Sequence, residues 1–172
     1  MVQIHLPQPN KPGRSGTCAS IAGLFPELVP GIDFPTENDR EDALATRFIN
    51  PPTISKPPGY TRVVETSGPG RTVYIAGQLG FTVDGKLPPD FRGQTVQAFE
   101  NLKNALAAVG AEFKHVVKIN NYLVDIPANI GTFREVRDQY LNMAAPPAST
   151  AVGVPALARP GALFEIEAIA VL

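Results

Sequence analysis

Ten of the chain's 18 prolines fall before residue 60, and this asymmetry decides where regular structure can form. Proline has no backbone N–H to give, clashes inside helices, and is confined in sheets to edges and bulges. Residues 1–57 therefore read as an extended or poorly ordered N-terminal segment, a loose tail or a surface-wrapping arm, or in part an over-extended reading frame. Within it, Ile21–Phe25 is a short apolar patch, and the polar stretch Thr36–Arg47 has room for one or two helical turns. Residues 58–172 read as the folded domain, enough for one core in a chain of this length.

From Tyr60 onward the sequence acquires period. Thr72–Ala76 is a β-rich run closed by Gly77. Asp84–Gly85 is a turn signal, so Gln78–Lys86 reads as a hairpin-like connection. Val96, Phe99, Leu102, Leu106 and Val109 recur at spacings of three and four, the mark of an amphipathic helix, and Gly110 stands where its C-terminal cap belongs. His115–Asp125 places Val117, Ile119, Asn121 and Leu123 on one face of a strand. Pro127 opens a second helix with a stripe of Ile130, Phe133, Val136, Tyr140 and Leu141. Ser149–Val154 and Leu163–Leu172 are the last two strands. The order β-β-α-β-α-β-β predicts an α+β layer, two helices against one sheet.

Composition removes several classes of function. A net charge of −1 and the absence of a basic aromatic stripe argue against nucleic acid as a partner. Cys18 is the single cysteine, which excludes an intrachain disulfide and a cysteine-based metal site. His5 and His115 lie far apart in sequence, so no metal is expected. No apolar run reaches the length of a membrane span, and no signal peptide is indicated, which makes a cytoplasmic location with no membrane partner the expectation.

Polar groups inside apolar patterns are the useful clues. Glu165 and Glu167 interrupt the most hydrophobic strand, on one face and about 7 Å apart by the period of two. Carboxylates inside a sheet must be paired, hydrogen-bonded or open to a solvated cleft. On the second helix Arg137 falls inside the apolar stripe, with Arg134 one turn back. That guanidinium must snorkel, meet a carboxylate or hold an anionic ligand. Tyr60, after a turn signal, is a rim aromatic or a core residue.

Six segments in order carry a family resemblance: Val73–Gly80, Asp84–Lys86, Gln94–Leu102, Val116–Ile119, Pro146–Thr150 and Glu165–Ala170. From about Tyr60 to Leu172 the chain resembles the RidA/YjgF family. The resemblance implies a chorismate-mutase-like fold assembled as a homotrimer, its sheets facing inward, with three clefts at subunit interfaces. It implies hydrolysis of reactive enamines and imines to 2-oxo acids and ammonia without a cofactor. In active members an arginine on the penultimate strand pairs with the substrate carboxylate, which suits a planar guanidinium, and a glutamate on the last strand positions water.

Carried onto this chain, Glu165 matches that glutamate and Tyr60 the cleft tyrosine, while Ala76–Gly77 replaces the usual Ser–Gly pair. Ser149 stands where deaminating members carry their arginine, so the chain resembles a subgroup without the usual anchor. Arg137 falls at the helix position usually held by asparagine, where it either supplies the missing cation or pairs with Glu165. The leading expectation is hydrolytic deamination of a small enamine or imine, one as large as an aminomuconate included. The alternative is a non-catalytic small-molecule-binding trimer. A chaperone-like or ribonuclease role, both claimed for relatives, is the third, and the acidic balance speaks against the ribonuclease.

Overall fold

The computed structural model describes residues 43–55, 57 and 59–172. The expectations for Cys18, Ile21–Phe25 and most of Thr36–Arg47 lie outside the described residues. Eight elements follow in order: β1 (Ala45–Ile49), β2 (Val63–Ser67), β3 (Thr72–Leu79), α1 (Phe91–Ala107), β4 (Val116–Val124), α2 (Ile126–Tyr140), β5 (Ala148–Val154) and β6 (Phe164–Val171). β1 and β2 make a separate antiparallel pair, and the main sheet runs β3-β6-β4-β5. Its β4–β5 pairing is parallel and the others antiparallel, so two helices pack on one mixed sheet, as the sequence predicts.

The core lies between the helices and one face of that sheet. α1 begins where Asp90 accepts a hydrogen bond from the Gly93 N–H at 2.8 Å, a side-chain cap for an otherwise orphaned donor. It buries Phe91, Ala98, Phe99, Leu102 and Leu106. Phe99 stacks on Tyr140 at 4.9 Å and on Phe164 at 6.1 Å between ring centroids, joining α1, α2 and β6. The Tyr140 hydroxyl donates to Glu100 at 2.9 Å, and burial together with that bond pushes its pKa up to about 12. α2 buries Phe133 and Val136, with Pro127 in its first turn. From β6 come Phe164, Ile166, Ala168 and Ala170, the alternation that period two requires.

Four local readings differ from the sequence expectation. Val96 is exposed, because Thr95 and Ala98 occupy the buried positions of α1. Val116 rather than Val117 enters the core of β4, since a bulge between Val116 and Lys118 shifts the alternation by one residue. Asp84–Gly85 does form a tight turn, with Gly85 at φ +78° donating to the Thr82 carbonyl at 2.9 Å. That turn leads from β3 into α1 rather than pairing two strands. β1, finally, lies in a stretch whose sequence shows no strand period, and it forms because β2 offers an edge to pair with.

Among the described residues no helix is long and apolar enough to cross a membrane. Gln94 is buried with its side chain fully used: it donates to the carbonyls of Pro88 and Gly161, both at 3.0 Å, and accepts from the Leu163 N–H at 2.8 Å. It fastens the loops around the helix start to the entry of β6, a structural role.

Candidate functional site

The main sheet has two unlike faces. Ile119, Asn121 and Leu123 of β4 point to the helices, while Lys118, Asn120 and Tyr122 point the other way and share that open face with Glu165 and Glu167. The two glutamates are in different states. Glu167 accepts from the Asn120 amide at 2.8 Å and the Tyr122 hydroxyl at 3.1 Å. The bond to Glu167 raises the pKa of Tyr122, because the neutral phenol is its donor. Glu165 has no hydrogen-bond or ion-pair partner among the described residues. Both bonds end on Oε1 of Glu167, whereas both oxygens of Glu165 have their lone pairs available.

Glu165 sits against Ala76–Gly77. β3 bulges between Ile75 and Gln78 opposite β6, which inserts one residue and brings the Gly77 backbone onto the glutamate. A Cβ at Gly77 would overlap the Glu165 carboxylate, so glycine is what this approach tolerates. Ala76 lines an open hollow of about 350 Å³ on the same face, together with Tyr74, Lys118, Asn120 and Glu167.

Tyr60, Arg137 and Ser149 gather elsewhere, around a cleft of about 600 Å³ at the outer edge of β5. The segment carrying Tyr60 is pinned there because Thr61 bridges Ala148 and donates its hydroxyl to the Pro146 carbonyl at 2.5 Å. Tyr60 is half-buried, on the rim of the cleft, with the Arg62 guanidinium 5.4 Å above its ring. Ser149 faces the helices and accepts from the Asn121 amide at 3.2 Å. That amide also donates to the Thr150 carbonyl at 2.9 Å, while the buried Asn121 Oδ1 has no partner among the described residues.

Arg137 is 5% exposed, as a place inside the apolar stripe demands. Its guanidinium meets Asp138 (Nε at 2.8 Å, Nη2 at 2.7 Å) and lies 5.6 Å from the centre of the Phe133 ring. Gly59 packs against Nη2 so closely that a side chain there would collide with it. The pairing with Glu165 that the sequence left open is not made within the protomer: Asp138, the next residue, supplies the carboxylate instead. Nη1 has no protein partner among the described residues, and Arg137 is part of the cleft wall.

One protomer thus carries two groups of candidate residues and does not bring them together. Ser149 stands beside Ile119, which stands beside Ala168. Glu165 is therefore two strand spacings and three residues away from Ser149, about 10 Å in each direction, and on the opposite face. Lys118, which the sequence reading did not single out, lines both the cleft and the open-face hollow. It donates to the Thr150 hydroxyl at 2.7 Å, and burial lowers its pKa. The signal for it was the polar row Lys118, Asn120 and Tyr122, alternating with the apolar face of β4. Among the described residues no three His, Cys, Asp or Glu side chains come together as a metal site, and His115 accepts from the Glu112 N–H at 3.0 Å.

The sequence profile of the Endoribonuclease L-PSP family matches residues 53–172. The chain belongs to this family, that of the RidA/YjgF proteins. The RutC family protein YjgH of Escherichia coli is 35% identical over 101 residues, 59% of this chain and 76% of that protein. A 2-iminobutanoate/2-iminopropanoate deaminase of Mus musculus is 39% identical over 114 residues, 65% of this chain and 80% of that one. The crystal structure of the Rid-family protein YyfB from Yersinia pestis superposes with a TM-score of 0.65 at 37% identity, covering 74% of this chain and 98% of the other. RidA-family relatives thus include imine deaminases, and the two-helix, mixed-sheet fold is theirs.

Proposed function

We propose that this protein hydrolyses the imine or enamine of a small 2-oxo acid in a cleft completed by two subunits of a homotrimer. Glu165 positions the attacking water, and Arg137 holds the substrate carboxylate in place of the arginine that Ser149 replaces. The observation that carries this reading is the contrast between the two glutamates: Glu167 Oε1 is held by both Asn120 and Tyr122, whereas Glu165 has no hydrogen-bond partner among the described residues and is set against a glycine bulge. Arg137 supports it as a buried cation fixed by Asp138 and Phe133, with donors left over at a cleft wall. Tyr74, 78% exposed on the open sheet face, and Val152, 43% exposed on the same face, are the kind of surface that subunit contact would cover.

In this mechanism water adds to the carbon of the C=N bond while Glu165 takes its proton. The imine nitrogen takes up a proton as water adds, giving an amino alcohol. Glu165 then passes its proton to that nitrogen, the hydroxyl gives up its own, the C–N bond breaks, ammonia leaves and the carbonyl forms. Hydrolysis of an imine asks for little beyond orientation and a base, so the reaction needs no cofactor. Tyr60, Ala76–Gly77 and Ser149 shape the pocket around the substrate. The reading carries with it a cytoplasmic location and a small molecule, rather than nucleic acid or membrane, as partner.

The absence of an arginine at Ser149 favours one competing reading, a trimer of the same family that binds a small molecule without turnover. A panel of imines and enamines generated in situ, from 2-iminopropanoate to aminomuconate, separates the two. Ammonia release accelerated over the uncatalysed background is the expected result for at least one member. Saturable binding of the corresponding ketones with no acceleration anywhere in the panel would leave the binding protein.

A further inference from the structure

We propose that the cleft at the β5 edge selects ligands with two anionic groups, in chemical class the imines of short 2-oxo dicarboxylic acids. The reaction in this statement rests on the deaminase reading; the charge of the ligand rests on the cleft alone.

Four cationic side chains line that cleft, Arg62, Lys118, Arg134 and Arg137, and among the described residues no carboxylate does. Among the described residues only Arg137 of the four has a carboxylate partner, Asp138. Arg62 is held by neutral groups, donating to the Ser55 carbonyl at 2.9 Å and its hydroxyl at 2.9 Å. Lys118 donates to the neutral Thr150 hydroxyl. Arg134 is exposed and has neither hydrogen bond nor ion pair among the described residues. Three cations without a carboxylate partner line one small space, and such a wall concentrates a positive potential that draws anions in.

A single carboxylate on Arg137 leaves Arg62, Lys118 and Arg134 as they were. A second one changes this. Arg134 and Arg137 are three residues apart on α2, so their Cβ atoms are about 5–6 Å from one another, and both line the cleft. A short chain with a carboxylate at each end engages both guanidinia, and Ile126, Ile130 and Phe133 give its carbon skeleton an apolar wall. Arg137, buried and rigid, suits the carboxylate next to the reacting carbon. Arg134, exposed to solvent, suits the distal one.

The test is equilibrium titration of the full chain with two stable ketones, 2-oxoglutarate and 2-oxobutanoate, so that no turnover is needed. Wild type is expected to bind the dicarboxylate about tenfold more tightly, the scale of one added charge-assisted contact. In Arg134→Gln that ratio is expected to collapse towards one, with 2-oxobutanoate affinity falling far less than that of 2-oxoglutarate. Equal affinities in wild type, a ratio that survives Arg134→Gln, or failure to bind either ketone would each overturn the proposal. Rates with the two imines keep the readings apart. Turnover without a dicarboxylate preference in binding sinks this inference and leaves the deaminase. Selective dicarboxylate binding without turnover of any imine does the reverse.

Discussion

Replacing Glu165 by glutamine is expected to lower the rate of imine hydrolysis by about 10²–10⁴-fold, the usual contribution of a positioned general base, with little change in KM. Glutamine keeps the shape that abuts Gly77 but cannot take a proton from water. The fold should be indifferent to the change, because Glu165 is partly exposed and makes no hydrogen bond or ion pair among the described residues. Glu167→Gln is the matched control. Glu167 lies two residues away on the same face and is already bound by Asn120 and Tyr122. Its loss is expected to disturb that local network while leaving most of the turnover. Ammonia release by the two variants, each first checked for native circular dichroism, measures the contrast. Equal and severe losses would mean that the open face acts as a whole rather than through one carboxylate.

The second large effect concerns the core. Phe99→Ala is expected to destabilise the protein by about 3–5 kcal/mol, the cost of deleting a fully buried aromatic ring. Phe99 is 0% exposed and touches aromatic residues from α2 and β6 and from the turn before β4, namely Tyr140, Phe164 and Phe113. No single neighbour can collapse into the space, since each is held by a different element. Val96→Ala, one turn away and exposed, is expected to stay within about 0.5 kcal/mol. Urea unfolding of both variants reads the difference. A small effect at Phe99 would show that the helices do not depend on this aromatic stack to dock.

Much of this architecture was legible in the sequence because its periods are local. The stripe of α2 was readable from spacing alone, and Arg137 was recognisable as a buried cation because it interrupts that stripe. Glu165 and Glu167 were readable for the same reason, two charges in an alternating strand. What spacing does not carry is long-range. The bulge that exchanges Val116 for Val117 depends on the pairing of β4 with β6, and β1 depends on the edge of β2. The sequence reading left Arg137 either as a cation for the ligand or as a partner of Glu165; Asp138, the carboxylate it meets, was not considered. The strand order β3-β6-β4-β5 separates Ser149 from Glu165, and no feature of either strand announces that order. Likewise the difference between the two glutamates comes from Asn120 and Tyr122, on a neighbouring strand far off in sequence.

In the proposed site, Arg137 of one subunit and Glu165 of another act on the same substrate. Subunit mixing tests it directly. Glu165→Gln and Arg137→Gln homomers, each of low activity, would be unfolded together in equal amounts, refolded, and assayed for ammonia release, with mass spectrometry showing that mixed trimers had formed. A site shared between subunits predicts recovered activity, up to about a quarter of the wild-type sites when closed trimers assemble at random. Mixed trimers with no more activity than the parents would contradict the shared site and place both residues in the service of a single chain.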